Sequence, residues 1–149
     1  MKTVLITGVG SGIGEALAYR FLEEGWSVVG VGRHCPVRLQ QRPTMNFFPI
    51  DLSKTYLIRE ELRALLKHHL FHIVVLNAGM LGAIKPLHDT AVSDLENVMR
   101  LNVWANKELI DALHDATVVR QIVAISSGAA VNGSKGWGDI AFPKPRSIC

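Results

Sequence analysis

Residues 7–14 read Thr7-Gly8-Val9-Gly10-Ser11-Gly12-Ile13-Gly14 and stand between two runs of different character. The run before them, Thr3–Thr7, is apolar and β-branched like a buried strand. The run after them, from about Ile13 to Glu24, has the helical period. Glycines allow a tight turn there and let backbone N–H groups approach a pyrophosphate at the helix N-terminus. With a strand before it and a helix after it, this turn predicts a dinucleotide-binding unit.

The alternation of strand-like and helix-like runs continues along the chain. Further strands are predicted at Ser27–Val31, Met45–Ile50, Ile73–Leu76 and Val118–Ile125. Further helices are predicted at about Lys54–His68, with Ser53 as its N-cap, and at about Ser93–Asp115. Nearly unbroken Val and Ile runs are typical of a parallel sheet covered by helices on both faces. The predicted fold class is therefore α/β, a Rossmann-type doubly wound parallel sheet, truncated after about five strands.

The helical period also predicts which side chains face the core. The first helix is expected to bury Ile13, Leu17, Phe21 and Leu22, and the second Leu57, Leu62, Leu65 and Leu66. Residues 1–132 form one predicted nucleotide-binding domain. Residues 133–149 form an irregular Gly/Pro-rich tail, because Pro143 and Pro145 are incompatible with a helix interior.

Composition excludes several classes of protein. The chain has 149 residues, 48% of them apolar and 19% charged, which fits one globular domain and excludes a disordered chain. A net charge of +3 without a basic stripe argues against nucleic-acid binding, and the apolar runs are too short for a membrane span. Cys35 and Cys149 form no disulfide framework, so we expect a cytoplasmic protein. His68, His69 and His72 straddle a predicted helix end without acidic partners, so no metal site is expected.

The spacing Thr-Gly-x-x-x-Gly-x-Gly resembles that of the short-chain dehydrogenase/reductase family. Further family motifs follow in order: Asp51-Leu52, Asn77-Ala78-Gly79, Asn102 in Leu-Asn-Val, and Ser127 after the fifth strand. Gly128-Ala129-Ala130 and Gly136-Trp137 resemble the branch of benzil and sepiapterin reductases. The resemblance implies cofactor contacts by Thr7, Gly8, Gly10, Ser11, Gly12, Ile13, Gly14, Asp51, Leu52, Asn77, Ala78 and Gly79. It also implies that Asn102 organises a proton-relay water and that Ser127 binds a substrate carbonyl.

The choice between NAD(H) and NADP(H) is argued from the end of the second strand. An NAD site places an acidic side chain there, on the ribose 2′-hydroxyl. Here the strand ends in Val31-Gly32-Arg33-His34, and the planar fork of Arg33 suits a 2′-phosphate. NADP(H) is therefore favoured over NAD(H). The alternative is that Arg33 is only a solvated loop residue.

The resemblance fails at the proton donor. The family carries a tyrosine thirteen residues after the serine and a lysine four residues further on, and the tyrosine protonates the carbonyl oxygen. Those positions hold Ile140 and Lys144 here, so the lysine matches and the acid is missing. The predicted function is NADP(H)-dependent reduction of a small carbonyl or oxidation of an alcohol, with Ser127, Asn102 and Lys144 as the catalytic set and turnover impaired.

A frameshift would account for the missing tyrosine. Back-translation of Asp139–Pro145 with the bases shifted by one is compatible with codons for Tyr-Cys-x-Ser-Lys-Ala from position 140. We therefore expect a single-base shift near Gly138, which sequencing of the coding DNA past Gly133 tests. Family members run on for roughly another hundred residues, so a shortened chain is expected to expose a sheet edge and an apolar helix face and to self-associate.

Two other functions fit the sequence less completely. A nucleotide-binding module without catalysis would use the same glycine turn and would bind NADPH without turnover. An unrelated Rossmann protein such as a methyltransferase would prefer S-adenosylmethionine, and Asn77-Ala78-Gly79 and Ser126-Ser127 argue against it.

Overall fold

The computed structural model of the protein describes residues 1–67 and 70–128. Five strands form one sheet: β1 Thr3–Thr7, β2 Ser27–Gly32, β3 Met45–Pro49, β4 Phe71–Leu76 and β5 Val119–Ala124. The α-helices are α1 Gly12–Glu23, α2 Val37–Gln40, α3 Ile58–Leu66, α4 Val92–Met99 and α5 Ala105–Ala116. A π turn, Arg100–Trp104, joins α4 to α5, and short 3₁₀ turns lie at Thr55–Leu57 and Leu87–Asp89.

All strand pairs are parallel, and the strand order is β3-β2-β1-β4-β5. The chain runs outward from β1 to β3, then crosses back to β4 on the other side of β1. The point at which the order reverses, between β1 and β4, is where open α/β sheets bind ligands at the carboxyl ends of their strands. The predicted doubly wound α/β fold is confirmed.

The core consists of two apolar layers, one on each face of the sheet. Leu5 and Val74 point to the layer that contains α3 and α5, whereas Val4 and Ile6 point to the layer that contains α1 and α2. This alternation follows from the two-residue period of a strand. Because both layers are apolar, the central strands have no polar face, as their sequences predict.

Several local predictions are wrong, each for a physical reason. Ser53 does not cap a helix: its hydroxyl donates to Asp51 Oδ1 at 2.7 Å, and the chain forms a 3₁₀ turn before α3 begins at Ile58. Ile13 is 58% exposed, since α1 packs through Gly14, Ala18 and Leu22 instead. The predicted helix Ser93–Asp115 is interrupted by the π turn. Leu57 is only half-buried, and Ile58 takes its place in the core.

The sheet ends at β5 within the described residues. Ile122 on this strand and Val118 just before it are exposed. Such an edge favours pairing with other chains, so self-association stays a prediction. Within residues 1–67 and 70–128, no helix has the length and apolar character needed to cross a bilayer.

Candidate functional site

A cleft of about 620 Å³ lies at the carboxyl ends of the strands and spans the switch point. Its walls come from the residues that directly follow β1, β2, β3 and β4, and from the face of α4 and the π turn that is opposite them. A volume of this size is typical of a site for a small molecule or a cofactor. The position in the fold is the one at which doubly wound sheets bind dinucleotides.

The glycine turn is packed too tightly for any other side chain at two positions. Gly8 has φ +73°, in the left-handed region that favours glycine, and its N–H donates to Val31 O at 2.7 Å. A Cβ on Gly14 would lie 2.1 Å from Gly8 O and 2.5 Å from Asn77 Nδ2. The first turn of α1 therefore packs directly against the loop that follows β1, and its N-terminus points into the cleft.

Thr7 and Asn77 tie β1 to β4 at the switch point. The buried Thr7 hydroxyl accepts the backbone N–H groups of Asn77, at 3.0 Å, and Ala78, at 2.9 Å. In return, Asn77 Nδ2 donates to the carbonyl oxygens of Thr7, at 3.0 Å, and Gly8, at 3.2 Å. These four hydrogen bonds lie at the base of the cleft and fix the relative positions of the glycine turn and the loop after β4.

Replacing Thr7 by valine tests the contribution of the hydrogen bonds that its hydroxyl accepts. Thr7→Val keeps the shape of the side chain but leaves two part-buried N–H groups without their acceptor, at a cost of up to about 1–3 kcal/mol each. The free energy of unfolding, measured by urea denaturation, should fall accordingly. Thr7→Ser keeps the hydroxyl and should lose only about 1 kcal/mol, for the missing methyl group. Equal losses for the two variants would contradict the role given to the hydroxyl.

The Asp51–Ser53 segment forms the wall beyond β2 and β3. Asp51 Oδ1 accepts both the Ser53 hydroxyl and the Ser53 N–H, at 2.7 and 3.1 Å. The hydrogen bond from the Ser53 hydroxyl is the main cause that holds the pKa of the Asp51 carboxyl below its usual value, and the charges of Lys54 and Arg33 add to it. Asp51 is therefore an anion at neutral pH, with the exposed Arg33 guanidinium nearby.

Asn102 lies behind the opposite end of the cleft. It is only 6% exposed, and its side chain accepts the Met80 N–H at 2.8 Å and donates to the Met80 carbonyl at 3.0 Å. These two bonds hold the loop after β4 against the π turn. Because its side-chain amide is occupied in this way, the described contacts of Asn102 are with the protein rather than with the cleft.

The structure brings most of the predicted cofactor contacts together. Those that line the cleft are Gly8, Gly10, Ser11, Ile13, Arg33, Asp51, Leu52, Asn77, Ala78 and Gly79. Thr7, Gly12, Gly14 and Asn102 lie in the surrounding structure rather than on its surface. Ser127 is half-buried just after β5 and is not part of the cleft lining within the described residues. Lys144 and Ile140 lie outside the described residues.

Several residues that line the cleft were not predicted from the sequence. His34 follows Arg33, and its ring lies over Gly10, where an added Cβ would be 2.7 Å from His34 Nε2. Asn97, Arg100 and Leu101 line the opposite wall. Arg100 and Leu101 follow Asn97 by three and four residues, a spacing that places side chains on one face of a helix. This spacing can be read from the sequence. The remaining residues that were missed are Gly32, Ile50, Ser53 and Met80.

The three histidines that were considered as metal ligands do not form a described site. His72 Nδ1 accepts the Thr3 N–H at 3.2 Å, and its ring contacts Trp26 edge-on, at the end of the sheet away from the cleft. His68 and His69 lie outside the described residues. Among the described residues, no group of three potential ligands is placed to hold a metal ion.

The chemistry of the lining fits a dinucleotide. The backbone at Gly8 and Gly14 is packed so closely that it admits no side chain, which brings the loop after β1 against the first turn of α1. Backbone N–H groups at the N-terminus of a helix can bind a phosphate group. Arg33 and Arg100 supply positive charge, and Asp51 offers a carboxylate acceptor. The cleft can thus bind a polyanion through backbone N–H groups and guanidinium groups.

Comparisons with known proteins agree with this geometry. The family model described as short chain dehydrogenase matches residues 2–139. Benzil reductase ((S)-benzoin forming) of Bacillus cereus is 27% identical over 93% of this chain and 61% of its own length. NADPH-dependent pterin aldehyde reductase of Arabidopsis thaliana is 28% identical over 92% of this chain and 57% of its own length. The chain thus spans about three fifths of these relatives.

A solved structure gives the same result for the fold. A short chain dehydrogenase family protein from Francisella tularensis superposes with a TM-score of 0.86 at 23% identity, over 96% of this chain and 58% of that one. At this level of identity the likeness concerns the fold alone.

Proposed function

This chain belongs to the short chain dehydrogenase family, and on that premise we propose that it binds NADP(H) in the cleft across β1 and β4, with impaired turnover of a carbonyl or alcohol substrate. The bound cofactor would supply or accept a hydride at its nicotinamide ring. The residues of this chain would bind and orient it. The observation that carries the proposal is the packing of Gly14, in the first turn of α1, against Gly8, which places the N-terminus of that helix beside a cleft of about 620 Å³.

The positions of the strands divide the cleft into two halves. Residues after β2 and β3, among them Arg33 and Asp51, lie on one side of the glycine turn, and residues after β4, such as Gly79 and Met80, lie on the other. A dinucleotide bound across the switch point would place its adenosine half on the first side and its nicotinamide half on the second. The glycine turn between them would hold the pyrophosphate.

Selectivity for NADP(H) is proposed to come from Arg33. This side chain is exposed, directly follows β2 and forms no ion pair within residues 1–67 and 70–128. A guanidinium in that position can bind a 2′-phosphate through two hydrogen bonds, and the end of β2 offers no carboxylate for a 2′-hydroxyl. One of the relatives is named as NADPH-dependent, which supports the same choice.

Binding titrations with an Arg33 variant test the selectivity. Loss of hydrogen bonds to a charged group is worth about 1.5–3 kcal/mol, so Arg33→Ala should raise the Kd for NADPH about tenfold to a hundredfold. The Kd for NADH should change less than about twofold, because NADH has no 2′-phosphate. Arg38→Ala removes an exposed arginine of α2 that does not line the cleft, and should leave both Kd values unchanged. A parallel loss of both cofactors in Arg33→Ala would contradict the assignment.

The proposal that turnover is impaired is based on the residue at position 140. Ile140 stands where the family pattern has its proton donor, and an isoleucine side chain has no proton to give. Ser127 would orient a substrate carbonyl, Asn102 would support the proton relay, and Lys144 would be the remnant of the Tyr-x-x-x-Lys pair. The names of the relatives mention benzil and a pterin aldehyde, so aromatic carbonyls are the first substrates to assay.

A nucleotide-binding module without catalysis is the second candidate. It is favoured by the same substitution at position 140 and by the intact glycine turn. The two candidates differ in one measurable respect: the module binds NADPH without any carbonyl-dependent oxidation of it. A cytoplasmic location remains a proposal based on the two separated cysteines.

A further inference from the structure

The π turn accepts a hydrogen bond from a side chain that is not among the predicted site residues. The N–H of Ala105 donates to Arg100 O, five residues back, so the regular helical ladder is interrupted at this point. Asn106 Nδ2 donates a hydrogen bond to the backbone carbonyl oxygen of Asn102, within the same turn, at 2.8 Å. Asn106 thus supplies a side-chain donor to a backbone carbonyl within the irregular segment.

Asn102 uses its own side chain elsewhere. Its amide oxygen and nitrogen are bonded to the N–H and the carbonyl of Met80, and its Oδ1 would be only 3.1 Å from a Cβ placed on Gly79. The orientation of this side chain depends on the position of the Asn102 backbone. That backbone is held by Asn106 on the helix side, so one hydrogen bond from Asn106 to Asn102 and two between Asn102 and Met80 connect Asn106 to the loop after β4.

We propose that Asn106 is a positioning residue: its amide fixes the Asn102 backbone and, through it, the Gly79–Met80 wall of the nicotinamide half of the cleft. This rests on the proposed binding of a nicotinamide dinucleotide. Asn106 does not line the cleft, whereas Gly79 and Met80 do, so its effect reaches the cofactor only through Asn102. The adenosine half is built from residues after β2 and β3 and does not depend on this connection.

A matched pair of variants isolates the hydrogen bond. Thr and Val have the same shape and the same β-branch, but a Thr hydroxyl within a helix can donate to the carbonyl four residues back. Asn106→Val therefore removes the donor, and Asn106→Thr supplies one to the same Asn102 carbonyl. Thermal unfolding of both variants measures any general loss of stability separately.

Binding of two different ligands distinguishes an effect on the nicotinamide half of the cleft from an effect on the adenosine half. NADPH reaches both halves, whereas adenosine 2′,5′-bisphosphate reaches only the adenosine half and the phosphate sites beside it. Asn106→Val is expected to bind NADPH about threefold to tenfold more weakly, the effect of one lost hydrogen bond, and to bind adenosine 2′,5′-bisphosphate as tightly as the wild-type chain. Asn106→Thr is expected to restore NADPH binding to within about twofold.

The outcomes that overturn the proposal are distinct. Unchanged NADPH affinity in Asn106→Val, an equal loss of both ligands, or no rescue by Asn106→Thr would each show that Asn106 does not position the nicotinamide half. A wild-type chain that binds neither ligand would overturn the proposed function itself, before any variant is compared.

Discussion

With NADPH and an aromatic carbonyl, this chain is expected to turn over about 10²- to 10⁴-fold more slowly than the benzil reductase of Bacillus cereus to which it is similar. The reason lies at position 140, where isoleucine cannot protonate the oxygen on which negative charge develops during hydride transfer. The measurement is the carbonyl-dependent decrease of NADPH absorbance. Ser127 and Lys144 are retained in the sequence, but neither stands at the position that the family pattern gives to the proton donor.

The comparison needs a control for cofactor binding. NADPH affinity is measured on the same preparation, so that slow turnover cannot be attributed to an empty cleft. Saturable binding together with a rate at least a hundredfold below that of the relative would agree with the account. A rate within about tenfold of the relative would mean that another group of this chain donates the proton.

Gly14→Ala is expected to abolish NADPH binding over any accessible concentration range, a loss of at least about a hundredfold. Its Cβ would lie 2.1 Å from the carbonyl oxygen of Gly8, and backbone cannot rotate away from a contact as a flexible side chain can. The turn and the first residues of α1 must therefore separate, which moves the N–H groups proposed to bind the pyrophosphate. Fluorescence titration with NADPH and thermal unfolding measure the two consequences.

Gly12→Ala is the matched comparison. Gly12 has φ +60° but no atoms near its would-be Cβ, so alanine there meets backbone strain of about 1–2 kcal/mol without a steric clash. It should destabilise the protein while retaining measurable NADPH binding. If Gly12→Ala and Gly14→Ala behave alike, the close packing of Gly14 against Gly8 and Asn77 is not what maintains the site.

The strands were predictable because their chemistry is local. The β-branched runs around Val4, Val28 and Val74 have no polar face, and that pattern alone indicates a sheet covered on both sides. The glycine turn was predictable for a similar reason, since its spacing and its position between a strand and a helix are both visible in the sequence. These two features suffice to place the cleft.

The errors concern features that depend on contacts between distant residues. The π turn coincides with the bonds between Asn102 and Met80, which are 22 residues apart, and helical periodicity carries no information about such a pair. Ser53 bonds to Asp51 instead of capping a helix, because a Ser or Asp side chain can satisfy a turn as readily as a helix end. His34 was missed because its contact with Gly10 joins two loops.

The most direct test of the account is a titration followed by the ¹H–¹⁵N spectrum of the labelled chain. Saturable addition of NADPH should shift the amide signals of Gly8, Gly10 and Ser11 and the side-chain amide of Asn77, with NADH requiring at least about tenfold higher concentration for the same shifts. Signals of residues on the far side of the sheet, such as His72, should stay in place. The absence of shifts at the glycine turn under saturating NADPH, or equal response to NADH, would contradict the proposed NADP(H) site.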